Sequence, residues 1–279
     1  MMNLAEYRRT ATRLADFLPW AALAGSGVVL NKDGSLQRTA RFRGPDLDSA
    51  VPAELVAVAG RLNNAFRRLG SGWAIFVEAQ RHGIGAYPAS VFPDPASALV
   101  DAERKADFEE ETAHFESSYF LTVTYLPPAE DAARAENWLY EGKAERSVDP
   151  HEVLRFFVDR TDRVLQLIEN FMPECAWLDD AETLTYLHSC VSTKRHRVRA
   201  PETPMYLDAL LADQPLTGGL EPRLGDIHFR ILTIVGFPSA TTPGILDELN
   251  RLAFPYRWSS RAILLDKTDA TKLLTKIRR

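Results

Sequence analysis

The sequence predicts an α+β fold made of two mixed lobes. Three observations carry it. A hairpin, a helix and a strand fill the first ninety-odd residues. A highly charged helix with only a thin apolar stripe follows, which marks a divider. Beyond it the order is strand–helix–strand–helix and then strand–helix–strand, an interleaving that belongs to mixed folds. The expected division is therefore residues 1–95 as an N-terminal lobe, 96–117 as a bridging helix, 118–266 as a second lobe and 267–279 as the start of a connector. The second lobe fits a ferredoxin-like split β-α-β arrangement.

Each element has a local reason. Residues 3–16 fit a short amphipathic helix. Residues 28–30 and 37–42 read as two strands, with Asn31-Lys32-Asp33-Gly34 as the turn between them. Pro52 opens a helix whose Leu55, Val58, Leu62, Phe66 and Leu69 share one face, and Gly70 stops it. Residues 73–79 form a strand, and Asp94-Pro95 starts the charged helix. Residues 118–126, SYFLTVTYL, are a strong strand ended by Pro127-Pro128. Residues 129–148 read as a polar projecting loop or short helix. Asp149-Pro150 starts a third helix with Leu154, Phe157, Val164, Leu165 and Ile168 on its buried face. A short strand at 175–178, a helix carrying Leu184, Leu187 and Val191, and a loop at 194–204 follow. Residues 227–235 read as a strand. Thr242-Pro243 caps a helix carrying Leu246, Leu249 and Leu252, and a strand begins at Tyr256. Thr268 or Asp269 caps a last helix with Leu273, Leu274 and Ile277. That helix has no closing Gly, Asn or Pro, so the chain is expected to continue into further structure.

Composition narrows the function classes. The 279 residues are 46% hydrophobic and 25% charged, ordinary for a globular chain, with net charge −5. No global field favours nucleic acid or an anionic membrane. Two cysteines, Cys175 and Cys190, cannot build a disulfide framework or a four-cysteine zinc site. The longest weakly charged run, residues 17–30, is 14 residues long and contains Pro19, Gly25 and Gly27, too short for a spanning helix. A cytoplasmic location with at most peripheral membrane contact is expected.

Chemical motifs are sparse. No Gly-x-x-x-x-Gly-Lys-Ser/Thr loop occurs, which excludes ATP binding by that device within these residues. Gly25-Ser26-Gly27 precedes a strand rather than a helix, so it reads as a hairpin entry and not a dinucleotide loop. Residues 236–244, GFPSATTPG, form a strand-to-helix turn; anion binding there competes with simple capping by Thr242. Glu174, Asp179, Asp180 and Glu182 suit helix capping better than a divalent ion. His188, Cys190 and His196 lack zinc spacing. KRHRVR, residues 194–199, is a local reversal of the acidic balance. It fits lipid headgroups, nucleic-acid phosphates, an acidic partner or a plain solvated loop. No aromatic platform accompanies it, which weighs against single-stranded nucleic acid.

Five blocks then carry a resemblance: FLPWAALAGSGVVLNKDGSLQRTARFRGPDL (17–47), WAIFVEAQRHGIGAYPASVFPDP (73–95), FESSYFLTVTYLPP (115–128), LGDIHFRILTIVGFPSATTPGILDEL (224–249) and YRWSSRAILLD (256–266). In this order they resemble the N-terminal region of the CagE/TrbE/VirB family of type IV secretion and conjugation ATPases, TrbE branch. The resemblance implies a RecA-like ATPase domain that follows this region and holds ATP and Mg. No cofactor and no catalytic residue are carried onto these positions. It implies a hexameric motor at the cytoplasmic face of the bacterial inner membrane, and a docking role toward inner-membrane subunits, notably a small VirB/TrbD-type membrane protein. A monomer or weak dimer is expected for these residues alone. The candidate interaction residues are Lys194, Arg195, Arg197, Arg199, Trp20, Trp258 and Arg261, the tryptophans being core candidates as well. The competing readings are a nucleic-acid- or anion-binding adaptor that uses the 194–199 loop, and a free-standing enzyme with an unrecognised site.

Overall fold

A computed structural model describes residues 11–46, 49–110, 114–127, 150–236, 239–242 and 245–277. The α+β class holds. A short helix α1 (Leu14–Phe17) leads into β1 (Trp20–Gly25), β2 (Val28–Asn31) and β3 (Leu36–Arg43). Then come α2 (Pro52–Phe66), β4 (Trp73–Ile84), α3 (Pro95–Glu110) and β5 (His114–Tyr125). The second half carries α4 (Pro150–Glu169), β6 (Glu174–Trp177), α5 (Asp180–Val191) and α6 (Leu207–Leu211). Three two-residue strands follow, β7 (Leu216–Thr217), β8 (Arg223–Leu224) and β9 (Ile227–His228), then β10 (Tyr256–Ile263) and α7 (Lys267–Ile277).

Seven strands form one antiparallel sheet in the order β1-β2-β3-β5-β4-β10, with β6 also on β3. One edge of β3 is shared. Its first residues, Leu36 to Arg38, pair with β2, and Ala40 to Arg43 pair with β6. Strands β3, β4, β5 and β6 with α2 and α4 follow the β-α-β-β-α-β path, and their sheet order is β6-β3-β5-β4. That is the split β-α-β connectivity, and it spans residues 36–177 rather than the expected 118–266. The sheet also runs across the divide expected at 96–117. The long β4–β5 hairpin, paired from Trp73↔Tyr125 to Ile84↔His114, is the physical reason. The charged helix α3 is an insertion at the tip of that hairpin, and it buries no residue.

Local chemistry sets the helix starts. Pro52 occupies the first turn of α2, and Glu54 accepts a hydrogen bond from Val51 N at 3.0 Å. Asp179 caps α5: its Oδ1 accepts from Glu182 N at 2.7 Å, while Glu182 Oε2 accepts from Asp179 N at 3.1 Å. Period-two alternation sends strand residues to two faces. On the first, Val28, Leu30, Leu36, Ile75, Leu121 and Val123 meet Phe157, Val164 and Ile168 of α4, and Trp73 stacks on Phe157 at 5.7 Å. On the second, Trp20 and Val29 meet Leu184 and Leu187 of α5 and Leu207 and Leu211 of α6. Trp20 is 7% exposed, so it is a core residue, and the 17–30 segment is largely an interior hairpin.

Two expectations differ from the structure. The strand expected at 227–235 stops at His228, and Ile231, Leu232, Ile234 and Val235 stay exposed. Apolar β-formers make a strand only where another segment pairs with them. The helix expected after Thr242 is a single 3-10 turn, Asp247–Arg251. The 3–16 helix is present only as α1; residues 3–10 and the 129–148 loop lie outside the described residues.

Gly27 is the sharpest local requirement. Its φ is +64°, and an added Cβ would overlap the Leu178 carbonyl oxygen. Its N–H donates to Asp180 Oδ1 at 2.6 Å, which ties the β1–β2 turn to the start of α5. Gly27→Ala is expected to destabilise by about 2 kcal/mol or more, read as a lower urea midpoint; an unchanged midpoint would show the turn to be pliable.

Candidate functional site

The same alternation that builds the core places a row of polar side chains on the second face. Glu78 and Gln80 point inward from β4, and Thr122 does so from β5; Glu78 is only 7% exposed. A buried carboxylate needs donors on its oxygens, and Glu78 has them from three elements. Gln80 Nε2 donates to its Oε1 at 2.7 Å, and the Tyr186 hydroxyl donates to its Oε2 at 3.2 Å. Arg257 of β10 reaches Oε1 at 2.5 Å. The same guanidinium donates to Ser189 O at 2.9 Å and meets Cys190 Sγ. Thr39 and Thr122 hydroxyls share a hydrogen bond of 2.9 Å, and the Phe120 and Tyr186 rings lie 4.5 Å apart.

Burial pushes the Tyr186 hydroxyl above the ordinary phenol range, so it stays a donor. Burial likewise raises both thiols, Cys175 and Cys190, to about 11. Neither is a thiolate at neutral pH, and the arrangement holds no activated nucleophile of that kind.

Beside this row lies an open cleft of about 410 Å³, bounded by Arg41, Phe120, Glu182, Tyr186, Arg195 and Arg197. The 193–199 loop forms one wall. It is fixed by contacts that leave its guanidiniums out. Val198 N donates to Thr185 Oγ1 at 2.9 Å, and Thr193 N donates to Gln214 Oε1 at 2.7 Å. Lys194 Nζ sits 3.1 Å from Asp213 Oδ2, and His188 Nε2 is 3.3 Å from the same oxygen. Burial alone would raise the Asp213 carboxyl pKa, but hydrogen bonding from Lys194 and its neighbours holds it below the usual value.

The structure separates the expected candidates. Arg195 and Arg197 face the cleft; Lys194 is tied to Asp213, and Arg199 is exposed outside it. Trp258 is half-buried on β10, its Nε1 donating to Ser260 Oγ at 3.0 Å. Arg261 lies over the Phe76 ring at 5.5 Å. The acidic group works singly. Asp179 caps, Asp180 holds Gly27, Glu182 pairs with Arg41 at 3.2 Å, and Glu174 lies 3.8 Å from Arg43. No cluster of three metal-type ligands is found among the described residues. Residues 237, 238, 243 and 244 of the 236–244 turn lie outside them. Sequence reading missed Glu78, Arg41, Tyr186 and Arg257. The signal was present in β4, where Phe76, Glu78 and Gln80 share a period-two face.

The fold and the cleft define an α+β module built on one antiparallel sheet, with no helix among the described residues long and apolar enough to cross a membrane. Residues 27–133 match the family described as type IV secretion system ATPase VirB4/TrbE, N-terminal domain. The conjugal transfer protein TrbE of Rhizobium radiobacter is 35% identical over 298 aligned positions, which cover all of this chain and 36% of that protein. In Sinorhizobium fredii a probable conjugal transfer protein TrbE is divided into two named pieces. The first piece is 40% identical over 148 positions, covering 52% of this chain and 99% of that piece. The second is 37% identical over 98 positions, 35% of this chain and 15% of that piece. The chain belongs to the VirB4/TrbE family of type IV secretion ATPases, and it spans about a third of the length of the Rhizobium radiobacter relative.

Two outcomes are expected. Arg257→Met leaves Glu78 without its cation and costs about 3 kcal/mol in urea unfolding, of which the added Glu78→Gln change restores a fraction; full additivity would mean the pair is not coupled. Both native thiols react with iodoacetamide at pH 8 about 100-fold more slowly than a free cysteine, because only about a thousandth is thiolate. Rapid labelling of the folded chain would contradict their burial.

Proposed function

We propose that this chain is the non-catalytic docking and assembly module of a TrbE-type secretion ATPase, acting in conjugative pilus assembly and substrate transfer. Its partners in this reading are inner-membrane subunits, notably a small VirB/TrbD-type membrane protein, reached from the cytoplasmic face. ATP hydrolysis with Mg, and hexamer formation, belong to the remaining two thirds of such a protein. The family supports the setting.

One observation carries the docking role. Residues 229–236 present Ile231, Leu232, Ile234 and Val235 to solvent, with Val235 fully exposed. About twenty residues further on, β10 ends the sheet order and, among the described residues, pairs on one side only, with β4. A contiguous apolar run and an open strand edge in one stretch of chain are the features by which a partner segment adds to a sheet. Such addition suits a short extended segment flanking a membrane span. Nucleic acid has weaker support, because Lys194 is spent on Asp213, and Arg195 and Arg197 bound a cleft with Arg199 outside it, which makes no continuous basic stripe.

The test is co-purification of the 279-residue chain with a small VirB/TrbD-type membrane protein. Replacing Ile231, Leu232 and Val235 together by Asp is expected to weaken binding at least about tenfold while leaving the melting temperature of the chain unchanged. Unaltered binding would remove this surface from the reading.

A further inference from the structure

We propose that the cleft between β4–β5 and the 193–199 loop is a binding site for a phosphate-type oxyanion, held by Arg41, Arg195 and Arg197. This goes beyond the docking reading and does not rest on it.

The first reason is charge left without a partner. The chain has more carboxylates than cations, 38 against 33. Three other sheet arginines have carboxylates, Arg38 with Asp162 at 2.6 Å, Arg43 with Glu174 and Arg257 with Glu78, while Arg81 and Arg261 lie over the Phe115 and Phe76 rings. In the cleft, Glu182 serves Arg41 alone. Among the described residues no carboxylate lies within ion-pair reach of Arg195 or Arg197. With Glu182 counted, the wall carries two uncompensated positive charges. Burial and the neighbouring Arg257 guanidinium hold Arg195 below the usual arginine range, so it sits against like charge. An anion between these groups relieves that repulsion.

The second reason is that the site is built before any ligand arrives. The Thr185, Gln214 and Asp213 contacts hold the loop through its backbone and Lys194. The guanidiniums therefore do not have to support the loop as well. A preset wall lowers the ordering cost of binding, and the planar fork of Arg suits two phosphate oxygens at once.

The third reason is shape. About 410 Å³ admits a diphosphate, and its floor of Phe120 and Tyr186 is closed below by the Glu78 network. A polymer backbone needs a continuous basic track, whereas Arg199 lies outside the cleft and Lys194 is paired. The chemistry therefore fits a compact phosphate, either free or at the head of a lipid.

The experiment is calorimetric titration of the 279-residue chain with pyrophosphate in about 150 mM salt, beside flotation with phosphatidylglycerol and with phosphatidylcholine vesicles. Pyrophosphate is expected to bind. Arg195→Ala with Arg197→Ala should weaken it at least about tenfold, and Arg251→Ala, on the 3-10 turn and not among the cleft's lining residues, should leave it unchanged. Arg195→Lys keeps the charge and loses the fork, so an intermediate loss is expected even if the double variant fails to fold. Flotation only with phosphatidylglycerol, competed by pyrophosphate, identifies a lipid headgroup as the source; pyrophosphate binding without flotation identifies a soluble phosphate. No pyrophosphate binding, or binding that survives intact in both variants, overturns the proposal. Binding of duplex DNA with a steep salt dependence and no pyrophosphate binding overturns it in favour of a nucleic-acid surface.

Discussion

A carboxylate placed in the middle of a sheet face has to be met by donors, and Glu78 is met from three elements at once. Gln80 comes from its own strand, Tyr186 from α5 and Arg257 from β10. Donor geometry is narrow, so this one group fixes how α5 lies across the strands and where β10 settles on β4. Since α5 delivers the chain into the 193–199 loop, the cleft inherits its position from the same carboxylate. The net energetic yield of such a pair is small, because desolvation opposes the attraction. Its effect is chiefly to exclude other arrangements of the same elements.

Much of this architecture was legible before the structure. Proline at the first turn of α2, the Asp179–Glu182 cap and the helical stripe of α4 all act within a few residues, so local pattern suffices to read them. The two-lobe division was not recoverable in the same way. Whether β5 pairs back onto β3 and β4 is decided over separations of tens of residues, and no spacing rule records it. The 227–235 stretch shows the converse failure: its residue types favour a strand, but pairing is a property of two segments, and no ladder extends past His228 among the described residues.

The site was legible only in fragments. KRHRVR stood out by charge, and two of its arginines do bound the cleft. The rest comes from residues that look ordinary alone. Arg41 sits in a β-strand, Tyr186 in a helix, and Arg257 in a strand much further along the chain. Trp20 was conspicuous by size and proved to be packing, which is the commoner fate of a tryptophan among apolar neighbours. This region therefore presents two unlike surfaces: a charged recess on a sheet face, and an exposed apolar stretch at residues 231–235.

The order of strands in the sheet has a consequence for chain continuity. Strands β1 to β5 precede residue 128, while α4, β6, α5 and β10 follow residue 149. A break between those positions leaves the first piece with Trp73, Leu121 and Val123 facing no helix α4, and the second with its helices facing no sheet. Neither piece holds a closed core. The two would have to find each other as separate molecules, so the apparent stability of a split chain would rise with protein concentration, whereas that of the unbroken chain would not.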